Sequence, residues 1–462
     1  MLQLELGRVV ASGPRQGVLP AGPNQRARPD LATLTSADWD IHPVSGFNPP
    51  EPPLARMDGA FEAWERMLDE AGSLSLADPR LSVDPNRSWR GRIERMVVLD
   101  AAELEDIRAL RRAHVCLTFL SNLYVFSGGP RDSAGVPIVP APIAVPLLHV
   151  SDRLDIPPVV TYADTVLWNW ALKDPALGQA AGNFRILTTF SQTRTEERFY
   201  EVPCDMEALG APALRIMAAI RNEAFLGDRL ARKRMATFLL QLATLVERIA
   251  NIFPTFLPEC DPTVFYHSSR PWFHGGPRRF VLSVEDRSLD TVLDFGGPSA
   301  GQATLIHSLD VFLGVDHASE SADFESSFMS RMSAYMPSLH RRFLTHLAAQ
   351  RPTVRELAIA DADERGADES ELARAYDVAI VALRRLRDMH TRIVVSHIVT
   401  PARKAAKEAD KLAAASPAIV ASADGLEGEL TDKPLVGTGG SDLVAFLRLT
   451  RAKTIEAMLR PT

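Results

Sequence analysis

Cysteine is nearly absent from this 462-residue chain. Cys116, Cys204 and Cys260 stand far apart and form no C-x-x-C pair. A disulfide framework and a zinc ribbon are thereby excluded, and three buried or half-buried thiols in a reducing cytoplasm are expected. No run of 18 apolar residues occurs, so no membrane span is expected. Glu5 and Arg8 interrupt the apolar stretch from Met1 to Val10, and no signal-peptide core can be drawn there. A basic excess is missing too: 51 Lys and Arg face 58 Asp and Glu, for a net charge of −7. That balance argues against nucleic acid as a partner. No H-E-x-x-H and no His/Asp/Glu cluster with zinc spacing is found. Internal repeats are lacking, and strand signals are thin, with Arg279–Val284 the best candidate for a short hairpin piece.

Apolar residues at helical spacing fill most of what remains. Hydrophobic residues make up 46% of the chain, enough for a large core. Phe61, Trp64, Met67 and Leu68 form one stripe. A second follows Asp100-Ala101-Ala102-Glu103, which fits a capping box, and runs through Leu104, Ile107, Leu110, His114 and Leu117 to Gly128-Gly129-Pro130. The longest regular one is Met235, Phe238, Leu239, Leu242, Leu245, Val246 and Ile249. Another joins Leu372, Tyr376, Ala379, Leu383, Leu386, His390, Ile393 and His397, with Pro401 expected to end it. Further helices are expected over 304–314 and from about Ser441 towards Leu459. The prolines of Gly46–Pro53 forbid helix and predict an extended surface segment. Residues 1–37 read as a mobile arm, and 402–440 as a long irregular loop that is either a lid or a solvated, partly helical linker. The fold class is all-α.

Three features invite chemistry. Gly437-Thr438-Gly439-Gly440 suggests a phosphate loop but lacks the G-x-x-x-x-G-K-[ST] spacing. Gly297-Pro298-Ser299-Ala300-Gly301 matches G-x-S-x-G, yet a nucleophile elbow needs a parallel sheet beneath it, so a small-residue turn and N-cap is the expected reading. His42, His149, His317, His340 and His346 read as loop or surface residues. His390 and His397 each interrupt an apolar helical stripe. Such a histidine is either a satisfied core residue or an axial ligand to a haem iron. The two lie about 10.5 Å apart along a helix, so at most one could be proximal.

Several longer blocks occur in one order. Ile143 to Asp164 reads IAVPLLHVSDRLDIPPVVTYAD, followed by Val166-Leu167-Trp168-Asn169-Trp170 and Lys173-Asp174-Pro175. Then come Gly296-Gly297 with Ser299-Ala300-Gly301-Gln302, Leu309-Asp310-Val311-Phe312-Leu313-Gly314, Tyr335-Met336-Pro337 with His340-Arg341, Leu386-Arg387 with His390, and Gly437-Thr438-Gly439-Gly440. Together, from about Asp38 to Leu459, the sequence resembles the indoleamine 2,3-dioxygenase family.

The resemblance implies a small N-terminal helical domain (38–150) and a large C-terminal helical domain (151–462), the latter holding haem b and carrying a mobile loop over 402–440. It implies His390, not His397, as proximal ligand, and places Ala300, Gly301 and Arg387 against the haem, with Arg387 near a propionate and Asp310. Tyr162, Thr165, Val166, Phe199, Phe265, Arg270 and Thr438 would form the substrate pocket, with Gly275 and Thr438 closing over it. Phe265 suits an indole face, and Arg270 offers a planar fork to an amino-acid carboxylate. No acid/base residue is implied, because iron and O₂ carry the reaction. Pro203 stands where many relatives have a small hydroxyl residue, and Thr165 where a cysteine is common. Tyr266 replaces a phenylalanine, and His267 and His274 flank Arg270. The activity implied is cleavage of the indole C2–C3 bond of tryptophan or another indoleamine, in a cytoplasmic monomer needing an electron donor to keep iron ferrous. Two alternatives are a diverged haem enzyme acting on a modified tryptophan in secondary metabolism and a non-catalytic haem sensor or carrier.

Overall fold

The computed structural model describes residues 37–72, 88–283, 288, 290–317, 328–366, 368–415, 437–438 and 442–460. Residues 1–36 of the expected arm, and 416–436 and 439–440 of the expected loop, lie outside these. Among the described residues fourteen α-helices follow one another: α1 Glu62–Gly72, α2 Trp89–Glu94, α3 Ile107–Phe126, α4 Ala141–Leu154, α5 Arg194–Leu226, α6 Arg229–Ala250, α7 Pro262–Val264, α8 Thr304–Leu313, α9 Phe328–Ser333, α10 Ser338–Ala348, α11 Val354–Arg365, α12 Glu371–Val394, α13 Thr400–Ala415 and α14 Leu443–Glu456. The all-α expectation holds. Strands are short: β1 Ile138–Val139, β2 Trp170–Leu172, β3 Phe184–Ile186, β4 Gly276–Phe280 and β5 Thr291–Phe295. β4 and β5 form an antiparallel hairpin with β1 parallel to β4, and β2 pairs β3. The strand expected at Arg279–Val284 is thus the first arm of that hairpin, displaced by three residues.

Side-chain caps place the helix starts. Asp106 accepts from the Ala109 N–H at the head of α3, Thr193 from Glu196 at α5, Asp228 from Ala231 at α6 and Ser370 from Ala373 at α12. The start expected at Asp100 is corrected: its carboxylate caps only the 3₁₀ turn Ala101–Glu103, after which Leu104 turns extended and inward. Gly227 and Gly314, both at positive φ, end α5 and α8.

The central layer is α12 packed on α6, with α5 on the far side of α6 and α14 against α12. Arg229–Thr255 is long and apolar enough by composition to reach across a bilayer. Its Met235, Leu239, Leu242, Val246 and Ile249 are buried between α5 and α12, as the stripe predicted. One continuous core joins Ile41 at the start of the described chain to Ala457 near its end. The helix carrying His390 does not stop at Pro401. It widens into a π turn over Val395–Val399, where the Thr400 N–H reaches back to Val395 O, and continues as α13. A proline early in a new helical segment leaves one carbonyl unpaired behind it, and the wide turn absorbs the mismatch. Residues 402–415 are therefore helix rather than loop. Gly46–Pro53 has no helix, but Phe47 and Asn48 are buried rather than lying on the surface.

Candidate active site

A buried cavity of about 280 Å³ lies between α5, α8, α12 and α14. Its walls contain eleven of the residues for which the sequence implied a role there: Tyr162, Thr165, Val166, Phe199, Phe265, Arg270, Ala300, Gly301, Arg387, His390 and Thr438. Six separate segments bring them together.

Thr165 and Val166 lie in a π turn, Ala163–Leu167, and Tyr162 stands at its head. Asp164 pins it from below, accepting from the Thr161 N–H and hydroxyl at 2.8 Å each and facing His114 Nδ1 at 2.6 Å. The Thr165 hydroxyl turns back onto the carbonyls of Thr161 and Tyr162, at 3.3 and 3.4 Å. α5 contributes Phe199, Val202, Pro203, Met206 and Glu207. A second π turn, Phe265–Ser269, and the 3₁₀ turn after it supply Phe265 and Arg270. Phe199 meets Phe265 with ring centroids 4.7 Å apart and lies parallel to Phe273 at 5.6 Å. These rings make an aromatic wall of the type that packs against a flat apolar ligand. Arg270 is buried at 8% exposure, with its guanidinium over the Tyr266 ring, 5.5 Å from the centroid. His267 and His274, which flank Arg270 in the sequence, are exposed and do not line the cavity. Their turn carries them outward once Phe265, Trp272 and Phe273 take the inward positions.

The Gly-rich segments form the roof. Thr438 O accepts from the Gly297 N–H at 2.8 Å, and the Thr438 hydroxyl donates to Pro298 O at 2.6 Å. A Cβ on Gly297 would sit 1.9 Å from Phe273 O, and one on Gly275 2.2 Å from Phe295 O. Both positions therefore need glycine for close backbone approach. Gly275 works in this backbone crossing and does not face the cavity. Ser299 accepts from the Gly301 N–H and starts the 3₁₀ turn Ala300–Gln302. The strand ahead of it, β5, belongs to an antiparallel hairpin, so the G-x-S-x-G match is a turn and cap.

The two histidines of the α12 stripe separate clearly. His397 Nε2 donates to Cys260 O at 2.9 Å, while its Nδ1 lies 2.8 Å from Ser396 Oγ. Both nitrogens are engaged, so it is a satisfied core histidine. His390 forms no hydrogen bond among the described residues and stands at the cavity wall near the Phe253 ring. Burial, with Arg387 adding to it, pushes its imidazole down to about 4, so at neutral pH it is the uncharged donor that a metal requires. Three residues earlier, Arg387 gives both carboxylate oxygens of Asp310 a 2.6 Å hydrogen bond and donates to Thr454. Burial alone would raise Asp310, but Arg387 and His317 outweigh it and hold the carboxyl at about 2. His317 and His340, expected at the surface, are buried: the first faces Asp310 at 3.1 Å, and the second lies between Thr304 and Asp40. Cys116, Cys204 and Cys260 are all buried, as expected.

Sequence reading missed one cavity residue of consequence. Glu207 accepts the Tyr162 hydroxyl at 2.9 Å, and burial raises its carboxyl to about 7. An acid on the Phe199–Val202–Pro203–Met206 stripe was the available signal. A carboxyl that is raised in the folded state binds extra protons there, so stability falls as pH rises from about 4.5 to 7. Glu207→Gln removes that loss. Its stability advantage over the parent is expected to grow by up to about 3 kcal/mol from pH 4.5 to pH 8. Denaturant midpoints across pH measure it, and a pH-independent difference would contradict it.

A helical protein with an apolar cavity, a free neutral imidazole on one wall and a buried guanidinium on another has the build of a haem pocket with a substrate chamber beside it. The apolar lining, the unbonded His390 and the cationic Arg387 fit that group. The profile of the family described as indoleamine 2,3-dioxygenase matches residues 35–457. The chain is 31% identical over 439 residues to indoleamine 2,3-dioxygenase of Saccharomyces cerevisiae, covering 90% of this chain and 92% of that one. It is 30% identical over 425 residues to indoleamine 2,3-dioxygenase 1 of Mus musculus, covering 91% and 95%. A 6-hydroxytryptophan 2,3-dioxygenase of Fusarium equiseti is 28% identical over 436 residues, covering 91% and 97%. The chain belongs to the indoleamine 2,3-dioxygenase family. It is an oxidoreductase, and the family is haem-dependent and acts on small indoles.

Proposed function

We propose that this chain holds haem b on His390 and cleaves the C2–C3 bond of tryptophan, both atoms of O₂ entering an N-formylkynurenine-type product. The observation that carries the reading is the difference between two histidines on one stripe: His397 has both nitrogens engaged, and His390 has neither. Bound haem supplies the iron that activates dioxygen, and an external electron donor keeps that iron ferrous.

The chain's own residues bind and orient. Arg387, held by Asp310, and the Ala300-Gly301 turn would hold the haem, Arg387 by offering its charge to a propionate. Phe199, Phe265, Tyr162 and Val166 enclose the indole. Arg270 holds the carboxylate through a bidentate fork. Thr438, tied to Gly297 and Pro298, closes the roof and excludes water. No acid or base is assigned to the reaction. The chain is taken to act in the cytoplasm as a monomer.

The test is to supply reduced, haem-loaded protein with tryptophan in air and follow product absorbance. Absence of product with full haem occupancy would favour the sensor or carrier reading. Pro203 can donate no hydrogen bond, and by its position in the family Thr165 is the candidate for the missing hydroxyl, with Tyr266 behind it. Thr165→Ala is expected to lower turnover or shift preference among ring-substituted tryptophans, while Pro203→Ser is tolerated. A silent Thr165→Ala on every substrate would remove the hydroxyl from the account.

A further inference from the structure

Along α5, four buried acids meet different fates. Glu196 accepts from the Phe190 and Ser191 N–H groups and from the Tyr200 hydroxyl. Glu201 is paired with Arg194, Arg198 and Lys173, and Asp205 lies near Arg198. Glu207, 2% exposed and on the cavity wall, faces no cation within ion-pair distance among the described residues. Its one partner is the phenol of Tyr162, which donates to Oε1 at 2.9 Å, and its Oε2 is buried without a partner. The other end of Tyr162 is also held: its N–H donates to Gln302 Oε1 at 2.8 Å, and Gln302 Nε2 donates to Gly297 O at 2.9 Å. Gly297 in turn binds Thr438. A hydrogen-bonded chain thus runs from the roof of the cavity to Glu207, with Tyr162 fixed at both ends.

A carboxyl is an expensive way to fill an apolar wall, since a buried polar group costs stability unless it is bonded. A leucine there would pack as well and would leave the phenol to find another partner. We infer that Glu207 is a positioning and specificity-determining residue: it turns the Tyr162 hydroxyl into α5, so that the substrate meets the tyrosine's ring and not its oxygen. The chamber then favours an unsubstituted indole over one bearing a ring hydroxyl, because the phenol is spent on Glu207 Oε1 and the carboxyl's second oxygen is buried rather than open to the cavity. This rests on the proposed activity on tryptophan.

The experiment compares kcat/KM for tryptophan with that for 5- and 6-hydroxytryptophan, in haem-loaded enzyme. Glu207→Leu frees the phenol, and the ratio in favour of tryptophan is expected to fall about five-fold for at least one hydroxylated substrate, the size of one neutral hydrogen bond. Glu207→Gln, which can still accept from Tyr162, is expected to keep the parental ratio. In a Tyr162→Phe background there is no hydroxyl to free, so Glu207→Leu should leave the ratio where Tyr162→Phe alone sets it. Glu207→Met and Glu207→Ala provide the same comparison should the leucine variant not accumulate. An unchanged ratio in a folded, haem-loaded apolar variant, or an equal fall in the Tyr162→Phe background, overturns the inference. If the parent itself turns over none of these indoles, it is the proposed function that fails.

Discussion

His390→Ala is expected to yield folded protein that retains little haem and shows no normal Soret band, while His397→Ala keeps both. The α12 stripe presents both imidazoles, but only one has a lone pair to give. His397 Nε2 bonds Cys260 O, and replacing the ring leaves that carbonyl without its donor. The cost is about 1–3 kcal/mol of stability, with no effect on the cavity's ability to hold a planar cofactor. His390 makes no hydrogen bond among the described residues, and burial beside Arg387 keeps it neutral. Removing a group that merely supports a ligand weakens metal binding about 10–100-fold. Removing the ligand itself should cost more than that. Added imidazole, small enough to enter the vacated space, should restore the spectrum of His390→Ala. The opposite pattern, haem lost from His397→Ala and kept by His390→Ala, would move the axial ligand about two turns along the helix.

Arg270→Ala is expected to lower kcat/KM for tryptophan by about 30–1,000-fold, the 2–4 kcal/mol lost when one partner of a buried charge pair is truncated. Most of that should appear in KM. Arg270 is 8% exposed, and burial makes its charge costly, lowering its pKa below the ordinary value. A site that keeps a charge under those conditions gains from an anionic ligand. Tryptamine, which lacks the carboxylate, should therefore respond far less to the substitution than tryptophan. Lysine at this position keeps the charge but loses the planar fork, so Arg270→Lys should fall between parent and alanine. Equal losses on tryptophan and tryptamine would mean that Arg270 holds the aromatic wall through its stacking on Tyr266 and not the substrate.

The helices were legible because their stripes are long and regular: Met235 to Ile249 and Leu372 to His397 could be drawn from spacing alone. Their ends were harder. Asp100 and Asp106 both cap, and only packing decides that the long helix waits for the second, because Leu104 must first turn inward. Pro401 looks like a stop, yet a π turn ahead of it lets the chain run on. At the site, the motifs of the family placed eleven residues that the fold does gather around one cavity. Glu207 escaped because its meaning depends on Tyr162, 45 positions away. His317 and His340 escaped for the same reason: their acidic neighbours, Asp310 and Asp40, are found only in three dimensions.

The central claim is that this cavity, loaded with haem, inserts both atoms of dioxygen into the indole of tryptophan. The direct test is a single-turnover reaction of the reduced enzyme with tryptophan under ¹⁸O₂, quenched early and analysed by mass spectrometry. A product heavier by two ¹⁸O atoms is the result expected. A product with one labelled oxygen, or tryptophan recovered intact from fully haem-loaded protein, would contradict it.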